Sequence, residues 1–250
     1  MMKEVVVIKI GTGVLTRENG TLDGSSLVRL VSAVAELKSA GFACVVVSSG
    51  AVGAGVSSLR LEAYPDDVET RQAAAAIGQA RLMQRYQTLF EQFDLDVAQL
   101  LLTGSDLKEN RNRVSATMRR LLAEGNIIPI VNENDSVAIE ELRVGDNDLL
   151  SARVAEFLSA RQLILFTTVD GLLDRGDQLI ERVSDLSEVA GLVRGESGKF
   201  SIGGMASKLK AVEYALEGGV EVLVANGRNP GQLVDLVEGK GRCTRFLRQG

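Results

Sequence analysis

"ACVVVSSGAVGAG", residues 43–55, decides the fold. The run from Ala43 to Val47 is apolar without a break. A strand with one wet face alternates apolar and polar residues, whereas an unbroken apolar strand is covered on both faces, as in a parallel sheet between two layers of helices. Ser48, Ser49 and Gly50 then lead from the strand into the next element.

Working outward, "VVVIKI" (5–10), "VAQLLLT" (97–103), "IIPIV" (127–131), "QLILFTTV" (162–169) and "VEVLVANG" (220–227) also read as strands. Helical patterns lie between them. Leu27, Leu30, Val31, Val34 and Leu37 recur at helical spacing in 25–40, and Gly41 follows as the stop. Further helices are expected at 68–93, 110–124, 149–160, 205–219 and 229–239. Strands alternating with helices predict an α/β fold around a parallel sheet. With no linker, repeat or low-complexity stretch, one domain over 1–250 is the simplest account.

Composition narrows the function. The 250 residues are 45% hydrophobic, enough for a sizeable core, with a net charge of −5. No Lys/Arg block dominates, which argues against a nucleic-acid partner. Cys44 and Cys243 lie far apart without a zinc-ligand spacing, and Cys44 reads as a core filler. The N-terminal run is too short and strand-like for a signal peptide, and no apolar run reaches membrane length. A cytoplasmic protein without membrane contact is expected. There is no histidine, so the chemistry must use Lys, Asp, Asn, Ser, Thr and backbone N–H groups.

Parallel sheets present ligands at the C-terminal ends of their strands. Those ends here are "KIGTGVLT" (9–16), "SSGAVGAG" (48–55), "NENDS" (132–136), "TTVDG" (167–171) and "ANGRNPG" (225–231). Lys9 ends an apolar strand beside Gly11 and Gly13, which suits an anion better than a lysine simply reaching solvent. "SIGGMASK" (201–208) places two glycines before a helix and Lys208 in its first turn. A cation is unfavourable at that helix end unless an anion sits nearby.

"VGDND" (144–148) precedes the helix expected from Leu149. Asn147 or Asp148 can cap that helix, which accounts for one polar residue of three. The flanking carboxylates would repel without a cation, the candidates being Lys9, Lys208 or magnesium. Lysines, glycine-lined cradles and Asp/Asn orienters are the parts that phosphoryl transfer requires. A carboxylate nucleophile, with an ordinary pKa of about 4, needs no general base.

These motifs resemble the amino acid kinase family, most closely its glutamate 5-kinase branch. The matching pieces are "KIGTGVLT", "VVVSSGAVGAG", "GQARLMQRYQTLF", "QLLLT", "IIPIVNENDSVA", "VGDNDLLSARVA" and "GGMASKLKAV", in the family's order. The resemblance implies a three-layer α/β/α sandwich with a mainly parallel open sheet. It implies ATP- and magnesium-dependent phosphorylation of the L-glutamate side-chain carboxylate to L-glutamyl 5-phosphate, the first step of proline biosynthesis. L-proline as feedback inhibitor and a homo-oligomer, dimer or tetramer, are implied as well.

By position, Lys9 and Lys208 resemble the pair that neutralises the transferring phosphoryl group, and Asp148 the acid that holds them. Ser49, Asp135 and Asn147 match glutamate-binding positions, with Asp146 supporting the turn or the substrate amine. Gly11 and Gly50 belong to phosphate-facing loops. Thr167, Thr168, Ile202, Gly203, Gly204, Met205, Ala206, Ser207 and Lys208 match the ATP-contacting segments. No residue is assigned as a metal ligand. Many relatives carry an acid where this chain has Thr168 and an aromatic near Leu173, so base contacts are not carried over. A form lacking the C-terminal PUA domain is expected.

Other readings are a family member acting on N-acetylglutamate, aspartate, carbamate or UMP, and a non-catalytic sensor of the same fold. An early Gly-Gly pair, expected for N-acetylglutamate, is replaced by Gly11-Thr12-Gly13. A sensor would have lost Lys9, Lys208 or Asp148. A dinucleotide-binding oxidoreductase needs GxGxxG, and "GTGVLT" lacks the third glycine.

Overall fold

The computed structural model describes residues 3–56, 58–61, 63–136, 147–189 and 205–247. The first half runs β1 (Val5–Ile10), α1 (Thr12–Leu15), α2 (Gly24–Ser39), β2 (Ala43–Ser48), α3 (Ala51–Val56), α4 (Val68–Phe90), β3 (Asp96–Leu102), α5 (Gly104–Glu109), α6 (Arg111–Ala123) and β4 (Ile127–Glu133). The second half runs α7 (Asn147–Leu158), β5 (Gln162–Thr167), β6 (Arg182–Val183), α8 (Leu186–Val189), α9 (Met205–Glu217), β7 (Glu221–Asn226), α10 (Leu233–Val237) and β8 (Cys243–Phe246).

The described strands form one sheet in the order β3-β4-β2-β1-β5-β7-β8-β6. Every pairing is parallel except β7 with β8. Successive strand residues point to opposite faces. Val6, Ile8 and Ile10 pack with Cys44, Val46 and residues of α2, α4 and α10. Val7 packs with Val45, Val47 and residues of α6, α7 and α9. Two apolar cores on one sheet make the three-layer α/β/α sandwich that the unbroken strands predict. Burial pushes the Cys44 thiol up to about 12, so it stays protonated as an apolar filler.

Local chemistry explains the boundaries. Asp23 caps α2 by accepting from the Ser25 N–H, and Asp67 caps α4 by accepting from the Thr70 N–H. The helix expected at 110–124 is α6, and the short α5 ahead of it, not foreseen, is started by a capping box between Thr103 and Asp106. β4 runs two residues beyond its apolar core, to Glu133, because β3 beside it supplies backbone partners. α7 already includes Asn147 and Asp148, so neither is a cap outside Leu149. β8 was not foreseen: "CTRF" is short, lies in a polar stretch and runs against its neighbour.

Candidate active site

The parallel strands deliver their C-terminal ends to one rim. Lys9 is the penultimate residue of β1 and is 3% exposed. β2 and β5 flank it on both sides. Its ammonium lies 2.6 Å from Asp148 Oδ1. Lys208, in the first turn of α9, donates to Asp148 Oδ2 at 3.1 Å. Asp148 is fully buried. α7 packs against both α9 and β1, and this brings the three side chains together.

A buried charge is tolerated when it is paired. Two ammonium groups share this one carboxylate, and a pair of lysines gathered in this way can meet an incoming anion. The cation sought between the carboxylates of "GDND" is thus supplied twice by lysine on Asp148. Asp146 lies outside the described residues.

Asn147, next to this triad, reaches the end of β2. Its Nδ2 donates to Ser48 O at 3.1 Å, Ser49 Oγ at 2.9 Å and Asn132 Oδ1 at 3.0 Å. Its Oδ1 is buried and has no hydrogen-bond partner among the described residues. Such an acceptor is costly unless a ligand donor meets it. Asp135 is half-buried in the turn after β4.

Glycines let backbone approach this rim. A Cβ on Gly11 would lie 3.1 Å from Phe166 O, and the Gly11 N–H donates to that carbonyl at 3.1 Å. This bond ties the β1 loop to β5. Gly50 has φ +95°, a conformation that favours glycine, at the turn from β2 into α3.

Thr167 is the last residue of β5, and its carbonyl accepts from the Gly227 N–H at 2.8 Å. Thr168 is exposed, its methyl 3.2 Å from where a Cβ on Gly13 would stand. Val169 and Leu173 are exposed on the same loop. Met205, Ala206 and Ser207 open α9 before Lys208. Ile202, Gly203 and Gly204 lie outside the described residues.

The structure therefore assembles Lys9, Asp148 and Lys208 as one group and Ser49 with Asn147 as another. It adds four residues that the sequence reading did not single out. Asn132 and Ser48 bond to Asn147, while Gln79 and Tyr86 hold these two from α4. One signal was available for Gln79, a glutamine within the apolar stripe of a helix.

Comparison with known proteins identifies the family and the fold. The sequence model of the Amino acid kinase family matches residues 4–226. The glutamate 5-kinase of Clostridium acetobutylicum is 39% identical over 251 residues, spanning 97% of this chain and 94% of that protein. That of Symbiobacterium thermophilum is 43% identical over 256 residues, spanning 98% and 96%. Among solved structures, a carbamate kinase from Giardia lamblia bound to AMP-PNP superposes with a TM-score of 0.69 at 16% identity, covering 99% of each chain. A UMP kinase from Ureaplasma parvum gives 0.64 at 13% identity, covering 98% of this chain and 99% of that one. At such identities the structural likeness speaks for the fold alone, whereas the sequence matches extend over nearly the whole chain. The chain belongs to the amino acid kinase family, and the relatives it matches at about 40% identity are glutamate 5-kinases.

Proposed function

We propose that the chain catalyses ATP-dependent phosphorylation of the L-glutamate side-chain carboxylate, yielding ADP and L-glutamyl 5-phosphate, the first step of proline biosynthesis. The observation that carries the chemistry is the buried Lys9–Asp148–Lys208 group. The substrate assignment is supported by the near-full-length glutamate 5-kinase relatives.

The chain's residues divide the work. A glutamate side-chain oxygen attacks the γ-phosphorus of ATP, and the bond from that phosphorus to the β-phosphate oxygen breaks. The nucleophile is already ionised, so no base is required, consistent with a chain that has no histidine. Lys9 and Lys208 offset the negative charge spreading over the transferring group, and Asp148 holds both ammonium groups before substrate arrives. Such preorganisation avoids reorienting the charges during the reaction.

Asn147 and Ser49 bind glutamate, with Asn147 Oδ1 accepting from its ammonium group. Asp135 belongs to the same pocket. Gly11 and Gly50 admit the phosphates to the backbone. Thr167, Thr168 and the segment Ile202 to Lys208 contact the nucleotide. Magnesium arrives with ATP. Magnesium bound largely through substrate phosphates is usual.

One sheet running from β1 to β8 supports a single domain over 1–250. Two free cysteines suit a reducing cytoplasm, and no helix among the described residues is long and apolar enough to cross a membrane. Inhibition by L-proline and assembly into a dimer or tetramer rest on the family resemblance. They are tested by proline competition assays and sedimentation equilibrium.

The decisive experiment is γ-glutamyl hydroxamate formation with ATP, magnesium, L-glutamate and hydroxylamine. ADP release with N-acetylglutamate, aspartate and UMP is measured alongside. Hydroxamate with glutamate and little turnover of the others is expected. Turnover of another substrate in place of glutamate overturns the assignment.

A further inference from the structure

Gln79 is 8% exposed and lies among the apolar residues of α4 that face the sheet. Its Oε1 accepts from Asn132 Nδ2 at 2.9 Å. Asn132 Oδ1 accepts from the Glu133 N–H at 2.9 Å and from Asn147 Nδ2 at 3.0 Å. Ser48 O accepts from the same Asn147 nitrogen at 3.1 Å.

Backbone groups set the polarity of this chain. The Glu133 N–H can only donate, so Asn132 must show it oxygen. The Ser48 carbonyl can only accept, so Asn147 must show it nitrogen. The Asn132 amino group is then left facing Gln79, which answers with its oxygen. With its nitrogen committed, Asn147 retains one buried oxygen without a partner among the described residues.

The helix that carries Gln79 is itself held tightly. A Cβ on the preceding Gly78 would lie 1.8 Å from Ala51 O, so α4 meets α3 backbone to backbone just beyond Ser49 and Gly50. Two turns further along, Tyr86 shares a 2.8 Å hydrogen bond with Ser48 Oγ.

We infer that Gln79 is a positioning residue for the amino-acid substrate, holding Asn132, and through it Asn147, so that an acceptor oxygen faces the substrate ammonium. This inference rests on the glutamate reading above. Without the Gln79 oxygen, the buried Asn132 amino group loses its partner and can regain one only by rotating, which releases Asn147.

The test is a double-mutant cycle of Gln79→Met and Asn147→Ala, read as KM for glutamate, KM for ATP and kcat. Gln79→Met alone is expected to raise the glutamate KM about tenfold, the effect of one lost buried hydrogen bond, while moving the ATP KM less than twofold. In the Asn147→Ala background the same change is expected to raise the glutamate KM less than twofold, because the group it positions is gone. Additive effects, or equal losses for ATP and glutamate, overturn the inference. If Gln79→Met does not fold, Gln79→Ala, which favours the helix, is taken through the same cycle with the same criteria. Wild-type enzyme active on glutamate with an additive cycle sinks the Gln79 role alone. Wild-type enzyme inactive on glutamate sinks the substrate reading and the Gln79 role with it.

Discussion

Lys9 Nζ lies 2.6 Å from Asp148 Oδ1, with the lysine 3% exposed and the aspartate fully buried. Lys208 holds the other carboxylate oxygen, so Asp148 fixes two cations that belong to opposite ends of the chain. The arrangement makes the site ready for an anion and dependent on each of its three members.

Lys208→Ala is expected to lower kcat by about 100-fold, as removal of a transition-state charge partner does. Steady-state kinetics with saturating ATP and glutamate check it. A near-normal kcat would remove Lys208 from the mechanism.

Asp148→Asn removes the negative charge that two buried ammonium groups share. A loss of about 3 kcal/mol in stability is expected, together with a large fall in kcat. Urea denaturation of the ligand-free protein measures the first effect. Unchanged stability would mean that water reaches the lysines.

Asn147→Ala should raise the KM for glutamate by about tenfold with little change in the KM for ATP, since the lost contacts lie at the β2 and β4 ends. An effect confined to ATP would place Asn147 in the wrong half of the site.

Gly78→Ala pushes a methyl group into backbone atoms of α3, 1.8 Å from Ala51 O and 2.5 Å from Gly55 N. Overpacking of this kind costs about 3 kcal/mol, and α3 adjoins the Ser49 loop. Lower urea midpoints with a weakened glutamate KM are expected. Full stability would show that the two helices can separate freely.

Lys38 is 6% exposed, and its ammonium reaches the Ile127 carbonyl at 3.4 Å. Burial lowers its pKa from the ordinary 10.5. Below the folded pKa both states carry the proton, and the folded state bears the full penalty of a buried charge. Between the folded pKa and 10.5 the unfolded chain binds more protons, so this group's contribution to stability rises with pH. Lys38→Met should therefore be more stable than wild type near pH 7, by on the order of 1 kcal/mol, with the advantage shrinking toward pH 10. Denaturation at several pH values decides. A constant difference would mean that the folded protein does not perturb Lys38.

Much of the fold was legible because its cause is local. The unbroken apolar runs of β1, β2 and β5 require cover on both faces, and helical spacing between them supplies it. Lys9 and Lys208 stood out because each sits where a cation is unfavourable without a partner. Short elements with weak patterns, such as α5 and β8, were not legible: α5 is a six-residue helix resting on its capping box, and β8 is a four-residue strand in a polar stretch, buried between β7 and β6.

The sequence by itself determined the layered α/β architecture, the rim that carries chemistry and the residue types available there. The resemblance implied that Asp148 holds both lysines, the tertiary structure gave that group its geometry, and only the tertiary structure decided that Gln79 reaches Asn132 across the fold. Periodicity reports which face of an element is dry, over a turn or a few residues. Which distant groups meet on that face is set by strand order, by helix packing and by the fixed directions of backbone donors and acceptors.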